Sequence, residues 1–216
     1  MFPIGDDNTQ RRTFPVFNYA LIALNVLFFF VENSGGDAFI LRWSFVPHRF
    51  LANPLGDFVT IFTAMFMHAG WLHLLGNMLY LWIFGDNVED RFGHINYLLF
   101  YLLCGTGATF AQLAFSLGSN VPNLGASGAI AGVLGAYILM FPQQKVRVLM
   151  GYGVIPVPAL LVIGFWIVLQ LFSGVGSIAA TAQTGGVAYM AHIGGFFAGL
   201  ALTLLFRKNN GSRANS

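Results

Sequence analysis

Charged side chains are scarce in this sequence, and their scarcity limits the class of protein. Asp, Glu, Lys and Arg make up 8% of the 216 residues, against roughly 25% in typical soluble domains. Hydrophobic residues reach 56%, so this composition cannot supply a water-facing surface, and both a soluble globular protein and a disordered chain are excluded. The net charge of +2 is too small to indicate a nucleic-acid partner.

Cysteine is almost absent as well. Cys104 is the sole cysteine, which excludes an intrachain disulfide and any metal site with several cysteine ligands. The His-Glu-x-x-His pattern of zinc proteases is also missing, because Ala69 follows His68. We therefore predict no metal and no other cofactor.

The gaps between the few charges predict six membrane-spanning helices. One crossing takes roughly 20 apolar residues. Residues 13–31 and 58–85 are free of Asp, Glu, Lys and Arg for 19 and 28 residues, which allows one crossing each. The charge-free stretches 92–144 and 148–206, of 53 and 59 residues, hold two crossings each. The predicted fold is an all-α membrane protein, a bundle of six transmembrane helices.

Lys and Arg indicate how this bundle is oriented. An even number of crossings places both termini on one side, which would carry eight of the ten Lys and Arg residues, while Arg42 and Arg49 remain on the other. Because positive charge is in excess in cytoplasmic loops, we expect both termini in the cytoplasm. The eight residues are Arg11, Arg12, Arg91, Lys145, Arg147, Arg207, Lys208 and Arg213.

The chain is predicted to hold one domain between two short tails. Residues 1–16 form a cytoplasmic N-terminal tail, residues 17–206 the six-helix domain, and residues 207–216 a cytoplasmic C-terminal tail. The connection at 33–57 is too apolar for a solvated loop, and we expect it to lie at the membrane interface.

The fourth predicted helix is too short to cross the bilayer. From Ser127 to Phe141 it has 15 residues, or roughly 22 Å at about 1.5 Å per residue, against a hydrocarbon core of ~30 Å. Ser127 is therefore expected at a helix N-terminus below the outer membrane surface, where free backbone N–H groups suit a developing anion. The alternative is a serine that only caps its helix.

The sixth predicted helix carries an ionisable side chain, His192, in the middle of an apolar run. Such a residue is expected to face the bundle interior and to be functional. Gly195 and Gly199 share its face and would let another helix approach closely. The fourth helix offers a matching stripe of small residues that includes Gly128 and Gly132, and packing the two stripes would bring the serine hydroxyl to the imidazole. The alternative is a set of packing glycines with a structural histidine.

The second predicted helix contributes an imidazole and an amide on one face. His73 and Asn77 lie four residues apart, and both could donate hydrogen bonds to an oxyanion. His68 lies five residues before His73, nearer the outer end of the same predicted helix. The alternative is a polar clamp between helices.

A serine nucleophile needs a base within hydrogen-bond reach, and a third group often orients that base. All eight acids lie in predicted tails or connections and none follows residue 90, so a buried Ser-His-Asp triad is not expected. A dyad of Ser127 and His192 remains. The lack of acids in the predicted spans also argues against a proton pump or a cation transporter.

These residues resemble those of the rhomboid intramembrane serine proteases, of the short bacterial type with six helices. The resemblance covers about residues 17–206 and rests on three motifs: His68-Ala-Gly-Trp-Leu-His73-Leu-Leu-Gly-Asn77, Gly125-Ala-Ser127-Gly-Ala129 and Ala191-His192-x-x-Gly195-x-x-x-Gly199.

The resemblance implies that Ser127 is the nucleophile and His192 the general base and then the general acid. It also implies an oxyanion hole made by His73, Asn77 and the Ser127 backbone N–H, with His68 in a supporting position near the outer opening. The implied setting is a bacterial inner membrane, and the implied partners are membrane lipids and substrates that are other membrane proteins, cut in or near a transmembrane segment.

The sequence departs from the family at one position and leaves two other functions open. Many rhomboids carry an aromatic residue four positions after the serine, where this chain has Ala131, so the imidazole must be oriented by another residue, for which Tyr189 is a candidate. The alternative functions are a catalytically silent rhomboid-like protein that binds transmembrane helices, and a small-solute channel or transporter.

Overall fold

A computed structural model describes residues 2–9, 11–179 and 187–210. Within these residues the long helices are α1 Val16–Trp43, α2 Trp71–Phe92, α3 His94–Ala114, α4 Ser127–Met140, α5 Ala159–Ala179 and α6 Tyr189–Asn210. Short helical segments between α1 and α2 are Pro47–Ala52, Pro54–Asp57, Thr60–Thr63 and the 3₁₀ turn Ala64–Phe66. The strands are β1 Phe2–Asp6, β2 Lys145–Met150 and β3 Gly153–Pro158.

The described residues contain six long helices, of which up to five form candidate membrane spans. Among the described residues, four helical segments are long and apolar enough to cross a membrane: Val16–Trp43, His94–Ala114, Ala159–Gly176 and Tyr189–Phe206. The segment Pro54–Phe66 forms a fifth apolar span with α2, bent by 79° at the break between them. Helix α4, with 14 residues, is apolar but shorter than a full span. The predicted helical membrane bundle is confirmed, and the chain is a multi-pass integral membrane protein.

Helix α4 lies at the centre of the bundle. Every residue from Gly128 to Tyr137 is buried, and α2, α3 and α6 pack around this helix. A helix that is apolar on all sides belongs in such a position, because no face of it needs water. The outer helices instead expose large apolar side chains, as Leu27 and Phe30 do in α1 and Leu161 and Phe165 in α5, which suits contact with lipid.

Two helix boundaries differ from the prediction. Helix α1 continues through a break at Gly36 (φ 63°, ψ −163°) to Trp43, so part of the predicted connection at 33–57 is helical. Helix α2 begins only at Trp71 and includes three acids and Arg91 near its end, so the crossing predicted at 58–85 is displaced along the chain. The prediction assumed that charges end a span, whereas here the helices continue through them.

Several of these acids are buried, contrary to the expectation that all acids lie in tails or connections. Glu32 in α1 and Glu89 in α2 are 1% and 0% exposed. The Glu32 carboxylate accepts the backbone N–H of His68 at 2.9 Å, and Glu89 accepts those of Phe17 and Asn18 at 3.0 and 2.7 Å. Such donors replace the lost water around a carboxylate. The acids therefore tie helix ends and connections together.

A three-stranded antiparallel sheet, which the sequence analysis did not predict, lies at the end of the bundle where α4 finishes. Strand β2 is central and pairs with β1 and β3. The two-residue turn between β2 and β3 starts at Gly151, whose φ of 58° favours glycine. Pro156 and Pro158 lack N–H donors and lie in the edge strand β3, where proline is tolerated.

Asp6 attaches the first strand of this sheet to the helices. Its side chain is buried, and Oδ2 accepts the Tyr137 hydroxyl at 2.7 Å and Asn87 Nδ2 at 2.6 Å. Burial raises the pKa of Asp6 to about 7, against the opposing effect of the Tyr137 hydrogen bond. Through this carboxyl group, strand β1 contacts the ends of both α2 and α4.

We predict that this attachment weakens as pH rises. An unfolded aspartate releases its proton near pH ~4, whereas the folded protein retains the Asp6 proton until the pH passes about 7. The stabilising contribution is therefore complete below the unfolded pKa and is lost as pH rises through the folded one. Asp6→Asn keeps an acceptor for Tyr137 but cannot ionise. Thermal unfolding in detergent is measured at about pH 5 and about pH 8. Between these two values the wild type should lose more stability than Asp6→Asn does, and equal losses would contradict the prediction.

Candidate active site

Helices α4 and α6 approach each other backbone to backbone. A Cβ atom added at Gly195 would overlap the carbonyl oxygen of Gly128, and one added at Gly199 would overlap the backbone of Gly132. The facing glycines are spaced by four residues on both helices, so the contact follows one face of each. Two glycine pairs therefore set the separation of the helices that carry the predicted serine and histidine.

This packing brings the serine and the histidine into direct contact. Ser127 is the first residue of α4, and His192 lies in the first turn of α6. The distance from Ser127 Oγ to His192 Nε2 is 2.8 Å. The N-cap residue of α4 is Ala126, which provides no side-chain cap. The serine hydroxyl bonds to the imidazole, and Ser127 is therefore not the residue that caps this helix.

Helix α5 supplies two contacts to the imidazole that the sequence analysis missed. His192 Nδ1 lies 2.8 Å from Gln170 Oε1. The ring of Trp166, one turn before Gln170, has its centroid 5.8 Å from that of His192, at 38° between the planes. The aromatic contact thus comes from Trp166 and not from Tyr189. An amide in an otherwise apolar span was the signal in the sequence, because such groups usually bond across helices.

His73 lies on the opposite side of Ser127. The backbone N–H of Ala69 donates to His73 Nδ1 at 3.3 Å, so a neutral ring carries its proton on Nε2. A Cβ placed on Gly125 would lie 2.8 Å from His73 Nε2 and 3.6 Å from Ser127 Oγ. Ser127 Oγ and His73 Nε2 therefore both border the space beside Gly125, where a substrate carbonyl group would meet a nucleophile and a donor. Gly125 has a φ of 128°, a conformation that favours glycine.

Asn77 is buried with an unused donor. It is 8% exposed, and its Nδ2 has no hydrogen-bond partner among the described residues. A polar clamp between helices would have used this group. Because native proteins rarely leave a buried donor unpaired, Asn77 Nδ2 is suited to a group that arrives with a ligand.

His68 does not lie on α2, contrary to the prediction. It falls in the bent break before that helix, where Met67 and Gly70 have extended backbones. The backbone N–H of His68 donates to the Glu32 carboxylate. The His68 ring packs edge-on against the His73 ring, with 5.1 Å between the centroids. The imidazole is 2% exposed, and neither ring nitrogen has a partner among the described side chains and backbone. His68 therefore reaches the site from a connection rather than from a helix face.

A cavity of about 40 Å³ lies behind Ser127, between α3, α4 and α6. Its lining combines apolar groups with the amides of Gln112 and Asn123. Gln112 Oε1 also accepts the backbone N–H of Ala191, next to His192, at 3.2 Å. A polar cavity of this size can hold water, since one water molecule needs ~10–15 Å³.

The groups around Ser127 are suited to proton transfer and not to metal binding. The partners of His192 are a hydroxyl and an amide, both uncharged. Within the part of the chain that the structure describes, no group of three His, Cys, Asp or Glu side chains is placed to hold a metal ion. A hydroxyl bonded to an imidazole, with hydrogen-bond donors opposite, is an arrangement for nucleophilic attack on a carbonyl carbon.

Comparison with known proteins gives consistent matches. A family model described as Rhomboid domain matches residues 55–209. The chain is 33% identical over 195 residues to "Rhomboid protease GluP" of Bacillus subtilis (strain 168), across 88% of this chain and 35% of that protein. It is 30% identical over 190 residues to "Rhomboid protein 1, mitochondrial" of Saccharomyces cerevisiae, across 84% of this chain and 51% of the relative. The chain thus spans between a third and about half of the length of these relatives.

We predict that a single methyl group between α4 and α6 disrupts the site. In Gly199→Ala the new Cβ would overlap the backbone of Gly132, which cannot move aside as a side chain can, and overpacking of this kind costs about 1–3 kcal/mol. Gly164→Ala in α5 is the matched control, because a Cβ there meets no atom within 4 Å. Thermal unfolding in detergent should show a clear loss of stability for Gly199→Ala only. Equal stability of the two variants would show that α4 and α6 are not held at backbone contact.

Proposed function

This chain belongs to the rhomboid family, and from that premise we propose that it is a serine endopeptidase that cleaves transmembrane segments of other membrane proteins. The observation that carries the proposal is the 2.8 Å contact between Ser127 Oγ and His192 Nε2, made inside an apolar bundle where an imidazole is costly unless it is used. The relative named "Rhomboid protease GluP" supports the same chemistry.

The first step is the attack of Ser127 Oγ on the scissile carbonyl carbon. His192 Nε2 takes the hydroxyl proton as the new C–O bond forms and then gives it to the leaving amine. The carbonyl oxygen becomes an oxyanion in a position beside Gly125. Water, for which the cavity behind Ser127 has room, then hydrolyses the acyl-enzyme with His192 again as the base.

The oxyanion is stabilised by donors that the free protein leaves available. His73 presents Nε2–H toward the position beside Gly125, and Asn77 Nδ2 has no partner among the described residues. Ser127 is the first residue of α4, so its backbone N–H has no acceptor in a preceding turn. Donors fixed before the reaction stabilise the developing charge without reorganisation.

The short α4 makes the substrate a membrane-embedded peptide. Its 14 residues span only about 21 Å, so Ser127 lies below the membrane surface when the other end of α4 reaches the opposite face. A scissile bond must leave its helix before a serine can attack it, so transmembrane segments that unwind readily are the favoured substrates.

We further propose that both termini face the cytoplasm of a bacterial cell, with the bundle in the inner membrane. The pairing of β1 with β2 brings Arg147 to the same end of the bundle as the N-terminal segment. Arg11 lies at that end as well, with its Nη1 2.7 Å from Oδ2 of Asp86 near the end of α2. Positive charge gathers at this end, and that distribution marks the cytoplasmic side.

The two alternative functions fit the site less well. A catalytically silent rhomboid-like protein needs no hydroxyl bonded to an imidazole and no unused donors opposite. A small-solute transporter that uses acids in its path is disfavoured, because the buried Glu32 and Glu89 are engaged by backbone N–H groups. Transport would also survive the removal of one hydroxyl group, whereas proteolysis would not.

We predict that Ser127→Ala and His192→Ala each abolish cleavage of a model single-span membrane protein in detergent or liposomes. The double variant should be no worse than either single one, because the two groups act as a unit. Ser34→Ala is the matched control, since the Ser34 hydroxyl bonds within α1, to Phe30 O at 2.9 Å. Mild losses that add up in the double variant would contradict a dyad.

We predict a smaller effect for the oxyanion donors. Asn77→Ala should lower kcat on the order of 10²-fold, as loss of one donor does elsewhere, while the folded protein stays intact. Asn96→Ala is the control, because the Asn96 amide near the start of α3 donates to the carbonyl oxygen of Phe92, the last residue of α2, at 3.0 Å. The rates are compared at saturating substrate. An unchanged kcat for Asn77→Ala would remove this residue from the oxyanion hole.

A further inference from the structure

We propose that Gln170 on α5 is a positioning residue that holds His192 in the tautomer able to take the proton of Ser127. The proposal rests on the proposed function, because a tautomer matters only if the imidazole is a base. It assigns a role to a side chain outside the three motifs that carried the family resemblance.

The argument starts from the two nitrogens of one neutral ring. Only one of them carries a proton, and the other can only accept. For Ser127 to give its proton to Nε2, that nitrogen must be free of hydrogen, so the ring proton must lie on Nδ1. Gln170 Oε1, at 2.8 Å from Nδ1, is an acceptor in the place where this Nδ1–H group points.

Without that acceptor, the imidazole has two neutral forms of similar energy. In the second form Nε2–H would donate to Ser127 Oγ, and the serine could not be activated. An acceptor on Nδ1 favours the productive form by the free energy of one hydrogen bond in a partly buried site. It also stabilises the imidazolium that forms during the attack, since that cation donates from both nitrogens.

An amide is well suited to this place in a membrane. A carboxylate would orient the ring as strongly, but its own charge would have to be buried among apolar helices. Gln170 accepts the same hydrogen bond while remaining neutral. No acid is needed to orient the base, which agrees with the absence of any Asp or Glu after residue 90 in the sequence.

Trp166 completes the support from the same helix. It lies four residues before Gln170 and therefore on the same face of α5, and its ring packs against the imidazole at 5.8 Å between centroids. One face of α5 thus limits both the tilt of the His192 ring and the position of its proton. Since Ala131 leaves no aromatic ring on α4 to do this, the orientation of the base depends on α5.

The test replaces the amide with groups of similar size. Gln170→Leu removes the acceptor, Gln170→Glu restores one, and Leu169→Ala is the control, since Leu169 is 45% exposed on the outer side of α5. Two readouts are taken: kcat and KM for a membrane substrate, and the ¹⁵N chemical shifts of the His192 ring nitrogens, which distinguish Nδ1–H from Nε2–H. The shifts are measured in protein labelled at histidine and assigned with His192→Ala. Thermal unfolding confirms that each variant is folded.

The expected result is a loss of kcat in Gln170→Leu of about 10- to 100-fold with KM unchanged, short of the ~10²–10⁴-fold that a lost acid–base group costs. The ¹⁵N spectrum should move from the Nδ1–H form toward a mixture of tautomers, and Gln170→Glu should recover most of kcat. A wild-type kcat in Gln170→Leu, or a lost kcat with unchanged ¹⁵N shifts, would overturn the proposal. If the wild type cleaves nothing, the proposed function fails, while the ¹⁵N shifts still decide whether Gln170 sets the tautomer.

Discussion

The backbone contact between α4 and α6 is the constraint on which the rest of the structure depends. Glycine pairs at 128 with 195 and at 132 with 199 let the helices approach to a distance that any side chain would prevent. At that separation the first residue of one helix meets the first turn of the other, and a hydroxyl and an imidazole come within hydrogen-bond distance. Lipid supplies no hydrophobic force between helices, so the contact must come from close packing and from polar groups. The same glycines that hold the two helices together therefore determine how close the serine hydroxyl and the imidazole lie.

The placement of charge separates the ends of the bundle from its reactive interior. Carboxylates are buried at both ends of the helices, where backbone N–H groups or an arginine pair with them. The Ser127 hydroxyl bonds to an uncharged type of group, the imidazole of His192, and the His73 ring lies nearby, beside Gly125. A neutral site costs little to bury while empty and still stabilises charge that appears during a reaction. Helix α5, with its exposed apolar face, covers this site from the lipid side and contacts the base.

Much of the fold follows from the sequence, because composition and small-residue spacing act locally. The scarcity of charge predicted six spans, and the length from Ser127 to Phe141 predicted a short fourth helix that begins below the membrane surface. The sheet was not predicted, although Lys145 and Arg147 alternate with two buried valines in the period-two pattern of a strand, because a strand of six residues gives a much shorter pattern than a membrane span. The roles of Gln170 and Trp166 could not be derived, since they depend on how α5 is rotated and on a contact across 22 positions of the chain. The burial of Glu32 inside α1 could not be derived for the same reason. The backbone N–H that donates to its carboxylate belongs to His68, 36 residues along the chain.

The most direct measurement is the site of covalent attachment of a serine-directed fluorophosphonate to the protein in liposomes. A phosphonate reacts with the hydroxyl that has a base beside it, and it places an oxygen where the oxyanion would form. Mass spectrometry of the fragments should find the adduct on Ser127 in the wild type and no adduct in His192→Ala. Attachment at Cys104 or at another serine, or equal labelling without the imidazole, would contradict the account.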